Sequence, residues 1–276
     1  MAKKYFLTVL LLCVAVLGAE AQKNQINNYP SQTVVEGNGN VVTRDFEVAE
    51  FDEISMILPA TVNYTVADDY SCRVTLDENL FEYLDIHTKG DALNLGYVTE
   101  KVQHTNLKPT KFVIDISAPT IEEINTVGSG DFYFVTPFEA RELDISTAGS
   151  GGVYFNEIAR IQRFQMNLAG SGKLKCQEIH ADDVELGIAG SGKMVCKNLQ
   201  ADYANLGVAG SGEIIFEAGR LKSADVSVHG TGSVETRCQM ESMDYSIAGS
   251  GSIKYLGNVK TKGTNVGGRI KRIDKD

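Results

Sequence analysis

The sequence contains no tryptophan and, beyond Pro137, no proline. Proline lacks the backbone N–H that a sheet ladder needs, so its absence from the second half favours strands that are paired on both sides. Tryptophan is the usual residue for stacking against sugar rings, and its absence weighs against a polysaccharide-active enzyme. The sequence also lacks a nucleophile elbow, a His-Glu-x-x-His motif and a dinucleotide fingerprint. We therefore predict a protein that is not an enzyme.

Positive charge and cysteine are scarce as well. The chain has 26 basic and 36 acidic residues, whereas a nucleic-acid partner requires a basic face, so no such partner is expected. Cys13 lies in an N-terminal apolar run after Leu12, where a lipidation site would have a small residue. The other cysteines are too few for a disulfide scaffold, and their pairing is left open by the sequence: Cys72, Cys176, Cys196 and Cys238.

Only the N-terminus has a long apolar run. The run Phe6–Leu17 follows two lysines and precedes Ala19–Ala21, which has the small residues of a signal-peptidase site. We predict a signal peptide over residues 1–21, cleaved near Ala21, and a flexible leader over 22–32. No later run is long enough to span a membrane. The protein is therefore expected to be exported to the periplasm, the outer-membrane surface or the medium, with no stable transmembrane segment.

Glycine, in contrast, is abundant and regularly spaced. The phrase Gly-Ser-Gly recurs so that its first glycines lie 21, 21, 20, 20, 20 and 19 residues apart. A fixed period in this range is the signature of a repeat architecture. The copies are Gly128–Gly130, Gly149–Gly151, Gly170–Gly172, Gly190–Gly192, Gly210–Gly212, the variant Gly230-Thr231-Gly232, and Gly249–Gly251.

Between these phrases the apolar residues alternate with period two. Leu174 and Cys176 alternate with lysines, and the same positions one period later hold Met194 and Cys196. Helical repeats would instead place apolar residues three and four apart. The pattern predicts an all-β protein, a parallel β-helix with coils of about 20 residues, in which Cys176 and Cys196 form part of one inward row.

The region before the repeat also has strand signals. Residues 33–120 are predicted to form a β-rich portion that caps or extends the β-helix of residues 121–276, the two forming one continuous domain. Asp77–Leu84 is predicted to be a helical turn capped by Asp77. The charged tail from residue 269 is expected to cap the last coil and to discourage edge-to-edge growth. The predicted strands are Val41–Val48, Ile54–Leu58, Thr61–Val66, Cys72–Leu76, Ala92–Val98 and Lys111–Ser117.

Each Gly-Ser-Gly phrase is interpreted as the corner of a coil. Glycine reaches positive φ without strain, and the serine hydroxyl can bond to nearby backbone or to the serine one coil away. A phosphate site would require a helix N-terminus or a P-loop lysine, and neither is present. One corner differs, because His229 replaces alanine and Thr231 replaces serine. If the corners bind a ligand, this one is the first candidate.

Carboxylates on adjacent coils are the remaining catalytic candidates. Asp182 and Asp202 stack one coil apart, at a distance suited to glycoside hydrolysis, but Lys222 occupies the next coil. Calcium-binding β-rolls require an aspartate after each Gly-x-Gly, and only Asp131 holds that place. We predict no catalytic residue, metal or cofactor. The four histidines are too far apart for a local metal motif: His87, His104, His180 and His229.

Several segments together resemble a known family. The segments Val35–Val42, Phe51–Ile54 and Leu76–Leu80, followed by the glycine corners, look like the "Putative auto-transporter adhesin, head GIN domain" family. The resemblance covers about residues 34–273. It implies an exported bacterial protein with a right-handed β-helix and no established catalytic residues.

These observations predict a non-enzymatic, adhesin-like module of the cell envelope or cell surface. We expect it to bind a glycan or a protein partner along a flat, stacked face, although the residues of that site and the mode of anchoring do not follow from the sequence. A polysaccharide-active enzyme is the alternative, and a cleft that gathers two acids, or an acid with Lys or Arg, would favour it. A purely structural surface protein is the third option.

Overall fold

A computed structural model describes residues 33–103 and 105–274. Strands account for 72% of it and helices for 4%, and the body is a β-helix of about eight turns with strands at its N-terminal end. The predicted fold class is confirmed. The predicted signal peptide and leader lie outside the described residues, as do the side chain of His104 and the residue Cys13.

The regular coils are in the second half of the chain. Each strand from β14 to β17 has 18 or 19 residues, forms one coil and pairs in parallel with the next. The register aligns Leu174 with Met194 and Met194 with Ile214, all of them buried. The strands are β10 Glu123–Gly128, β11 Asp131–Phe134, β12 Phe138–Glu139, β13 Glu142–Gly149, β14 Gly152–Gly170, β15 Lys173–Gly190, β16 Lys193–Gly210, β17 Glu213–Gly230, β18 Ser233–Gln239, β19 Ser242–Ala248, β20 Ser252–Leu256, β21 Lys260–Val266 and β22 Arg269–Ile273.

The N-terminal strands continue the same stack. β3 pairs with β7 and β10, and β4 pairs with β9 and β11, all in parallel, so the chain enters in the second layer and then returns to build the first. The strands are β1 Thr33–Glu36, β2 Val41–Phe46, β3 Glu53–Met56, β4 Thr61–Val66, β5 Ser71–Asp77, β6 Leu84–Lys89, β7 Ala92–Tyr97, β8 Thr105–Lys108 and β9 Phe112–Ala118. The six predicted strands are confirmed, whereas β1, β6 and β8 were not predicted.

Antiparallel strands cover the N-terminal end of the stack. β5 pairs antiparallel with β9 and with β2, while β6 pairs antiparallel with β7. A 3-10 helix over Glu78–Tyr83 places the buried Leu80 and Phe81 against this end, and a one-turn helix spans Thr99–Val102. The apolar core therefore continues from the cap into the coils.

The prediction that Asp77 caps this helix is wrong. Its side chain makes no cap hydrogen bond. It is fully buried and accepts hydrogen bonds from the Gly39 N–H at 2.9 Å and from the Thr110 N–H at 2.7 Å. Burial by itself would raise the pKa of Asp77, but these hydrogen bonds to the carboxylate lower it. Asp77 therefore joins the N-terminal loop to the segment before β9.

The glycines behave as corner residues. Gly190 has φ +135°, and a Cβ there would collide with the backbone of Gly170 one coil before. Each serine N–H donates to the previous corner, as Ser191 does to the Gly170 carbonyl at 2.9 Å. The hydroxyls of Ser211 and Thr231 are 3.0 Å apart, which confirms the predicted bond between neighbouring corners. The predicted additional corner at Gly267 has φ +94°.

The four described cysteines are buried free thiols. Cys176 and Cys196 are in register on adjacent coils, with Phe155 before them and Phe216 after them in the same inward file. The Cys196 thiol donates to the Asn198 carbonyl at 3.1 Å. The expected inward thiol file is confirmed.

Candidate functional site

A groove of about 380 Å³ crosses four successive coils where each of them bends. It lies over residues 159–161, 180–182, 200–202 and 220–222, and below it is called the groove. Its floor includes Ala181 and Ala201, which are in register between the larger Ile161 and Leu221. The small residues create the depression because each methyl group is flanked along the file by a longer aliphatic side chain.

One side of the groove is a file of hydrogen-bond donors. His180, Gln200 and Arg220 are in register on three coils, and Arg160 lies one coil earlier. The His180 ring nitrogen Nε2 lies 3.0 Å from the Glu178 carboxylate. Among the described residues Arg160 and Arg220 form no ion pair, and both are exposed. Two guanidinium groups therefore flank the groove with their donors free for a ligand.

The other side holds the carboxylates that the sequence had singled out. Asp182, Asp202 and Lys222 occupy equivalent positions on successive coils and line the groove together. The Lys222 ammonium lies 2.7 Å from the Asp202 carboxylate, and this contact raises the pKa of Lys222. No partner for the Asp182 carboxylate is found within residues 33–103 and 105–274.

The charge of the groove is opposite in sign to that of the chain. Three basic side chains face two carboxylates in the groove, whereas the whole chain has a net charge of −10. Asp202 is already balanced by Lys222, so the remaining charges are two guanidinium groups and one carboxylate. This arrangement favours a ligand that carries negative groups and hydroxyls.

The sequence placed Asp182 and Asp202 on adjacent coils but missed the donor file. A partial signal was present, because His180, Gln200 and Arg220 lie 20 residues apart. Arg160 departs from this spacing because the register of β14 shifts between Ile158 and Ile161. The two carboxylates and the basic groups do share a cleft, which is the feature that the sequence-based argument tied to an enzyme.

The other candidate residues lie outside the groove. His229 is exposed, in register with Ala209 and Ala248, and makes no hydrogen bond or ion pair with any described residue. His87 contacts Asp85 at 2.9 Å. Neither histidine gathers a set of polar side chains around it.

A stacked tyrosine pair was also missed. The rings of Tyr133 and Tyr154 lie 4.5 Å apart at 10° on the outward side of adjacent coils. Their spacing of 21 residues was the available signal. The pair lies three layers from Arg220 along the stack and on a different segment of the coil, so it does not contribute to the groove.

A third outward file is acidic. Glu123, Asp144, Gln165 and Glu185 are in register on four layers. Burial raises the pKa of Asp144 to about 6, with Glu123 and Glu185 adding to the effect and Arg163 opposing it. No group of three or more His, Cys, Asp or Glu side chains in the described part of the chain is arranged to hold a metal ion. No helix there is both long and apolar enough to cross a membrane.

Solved structures with the same fold come from related bacteria. A protein of Parabacteroides distasonis named "Putative lipid binding protein" is 30% identical, with a TM-score of 0.82 over 87% of this chain and 100% of that one. A "putative adhesin" of Parabacteroides merdae is 24% identical, with a TM-score of 0.79 over 87% and 99%. A "putative adhesin" of Bacteroides fragilis is 23% identical, with a TM-score of 0.63 over 87% and 100%. The last two likenesses concern the fold alone.

A search of curated proteins finds no match. The model of one protein family matches residues 50–239, which include the N-terminal layers, the groove and most of the corners. This range exceeds half of the chain, and the sequence-based resemblance is confirmed. The chain belongs to the family described as "Putative auto-transporter adhesin, head GIN domain".

Proposed function

We propose that the protein is an exported, non-enzymatic surface module that binds an acidic glycan in the groove. The observation that carries this proposal is the pair of unpaired guanidinium groups, Arg160 and Arg220, at either end of a floor of alanines. The adhesin description of the family supports a binding role at a cell surface.

The dimensions of the groove suit a short stretch of polysaccharide. Neighbouring coils are about 4.8 Å apart, so three steps from Arg160 to Arg220 span roughly 14 Å. Carboxylate or phosphate groups accept paired hydrogen bonds from a guanidinium group. Gln200 and Asp182 offer a donor and an acceptor to sugar hydroxyls between the two arginines.

The test is isothermal titration calorimetry with a carboxylated hexasaccharide, hexagalacturonate, and a neutral one, maltohexaose. We expect saturable binding of the acidic sugar only. The double variant Arg160→Ala/Arg220→Ala should weaken it at least about tenfold, because each charged hydrogen bond contributes about 1.5–3 kcal/mol. The matched control is Lys173→Ala/Lys175→Ala, which removes equal charge from exposed positions on another segment of the coil. Equal weakening by both variants would contradict a groove site.

An anionic lipid head group is a second candidate ligand, favoured by the name of the 30% identical protein of P. distasonis. The same two arginines would bind its phosphate. Vesicles of phosphatidylglycerol and of phosphatidylcholine distinguish the sources. Flotation with the former, lost in the arginine double variant and not displaced by hexagalacturonate, would assign the groove to a lipid.

A polysaccharide-active enzyme is the third candidate, because Asp182 and Asp202 share the groove with basic side chains. A glycosidase keeps one carboxyl protonated through an apolar or acidic environment, whereas Asp202 contacts the Lys222 ammonium. This contact favours binding without turnover. Release of reducing ends from polygalacturonate that Asp182→Asn abolishes would overturn the non-enzymatic proposal.

A further inference from the structure

The charge of the molecule changes sign along the axis of the β-helix. Residues 33–118, which form the cap and the first layers, include fifteen acidic and six basic residues. Residues 260–274, which form the last coil, include one acidic and five basic residues. The two ends of the stack therefore carry opposite net charges.

The cations of the last coil are available to a partner. Lys260, Lys262, Arg269 and Lys271 are exposed, and none of them forms an ion pair with a described residue. Arg272 is the exception, since it lies 3.2 Å from Asp274. At the opposite end, Glu47 and Glu50 are exposed and likewise unpaired within the described part of the chain.

Both ends also present free strand edges. β21 pairs only with β19, and β22 pairs only with β20, among the described strands. At the other end β2 pairs only with β5, and β6 only with β7. Through the stacked pairings, β2 and β22 lie at opposite ends of one sheet, and β6 and β21 at opposite ends of another. Each end therefore offers an edge on the same two faces.

From these observations we infer that the basic last coil of one molecule docks on the acidic N-terminal cap of a second copy of this chain. A free edge leaves backbone N–H and C=O groups without protein partners, and another strand edge satisfies them. A lipid surface offers negative charge but no such edge, so the strand edges favour a protein partner. The contact joins two different surfaces and therefore adds molecules head to tail.

The same charges explain why other contacts are disfavoured. Two last coils repel each other, as do two caps, so like ends do not pair. The lysines that the sequence suggested as a guard against edge growth act in this way against a second basic end only. Head-to-tail contact brings Lys262 and Lys271 towards the end that carries Glu47 and Glu50.

Sedimentation velocity of the chain from residue 22 tests this inference. The weight-average mass should rise with protein concentration at about 0.03 M salt and return to that of the monomer at about 0.5 M, because salt screens the contact. Lys262→Glu/Lys271→Glu and Glu47→Lys/Glu50→Lys should each be monomeric at low salt. An equimolar mixture of the two variants should associate, because every contact between unlike molecules is again complementary.

The control is Lys173→Glu/Lys175→Glu, which makes the same charge change on exposed positions in the middle of the stack and should associate like the unchanged chain. The substituted residues are exposed, and circular dichroism checks that each variant folds. A chain that is monomeric at low salt, or a mixture that does not associate, would overturn the inference. Flotation of monomers on phosphatidylglycerol vesicles that only the last-coil variant abolishes would also overturn it and assign this end to lipid.

Discussion

The Lys222 ammonium lies 2.7 Å from the carboxylate of Asp202, which occupies the equivalent position one coil earlier. This contact decides the charge of the groove, because it neutralises one of its two acids. Lys222→Met should therefore weaken binding of hexagalacturonate several-fold. Stability should change by no more than about 1 kcal/mol, because an exposed ion pair contributes little. Calorimetry and urea unfolding measure the two effects, and unchanged affinity would contradict the role given to this lysine.

The repeated part of the fold follows directly from the sequence, whereas the N-terminal part does not. In the repeat, the spacing of the glycines fixes which residues stack, so the row of Asp182 and Asp202 was predicted. Between β3 and β11 no period relates one strand to another. The insertion of β3 and β4 between later strands depends on packing of non-repeating side chains, and alternation alone does not specify it.

The donor side of the groove was missed for a related reason. Arg160 lies in a coil of 21 residues, in which the shift between Ile158 and Ile161 absorbs the extra residue. A strict shift by 20 therefore does not align it with His180. The depth of the groove depends on Ala181 and Ala201, and small residues at a bend are equally consistent with tight packing.

Substitution of a corner glycine should be costly. Gly210→Ala places a Cβ against the backbone of Gly190 at φ +125°, where an L-residue is strained. We expect a loss of unfolding free energy of about 2 kcal/mol or more, since strain of about 1–2 kcal/mol adds to the collision. Ser211→Ala keeps the backbone hydrogen bond and should change stability by about 0.5 kcal/mol at most. Urea denaturation compares the two; equal effects would be inconsistent with the corner interpretation.

The buried thiols should be unreactive in the folded protein. Burial raises the pKa of Cys72 to about 12 and that of Cys238 to about 11, and the neighbouring Cys176 thiol together with burial raises the pKa of Cys196. At pH 8 about one Cys238 in a thousand is then a thiolate. With Cys13 absent, Ellman's reagent should label no thiol until urea unfolds the chain. Rapid labelling of the native protein would show that the inward file is open.

Asp144 should make stability depend on pH. Its pKa of about 6 in the folded protein exceeds that of the unfolded chain, so the folded state favours the protonated form. The stabilisation is present below the unfolded pKa and is lost as the pH rises through 6. Asp144→Asn should therefore raise the urea midpoint at high pH, by on the order of 1 kcal/mol after solvent screening, with little effect near pH 4. Asp183→Asn, at an exposed position, is the control.

The most direct test of the proposed function is the affinity of the groove for an acidic sugar with and without its two arginines. Calorimetry should show that hexagalacturonate binds the unchanged chain and the Lys173→Ala/Lys175→Ala control alike, and binds Arg160→Ala/Arg220→Ala at least about tenfold more weakly. Binding of the same strength to all three proteins, or equal binding of maltohexaose, would contradict a groove that recognises acidic glycans.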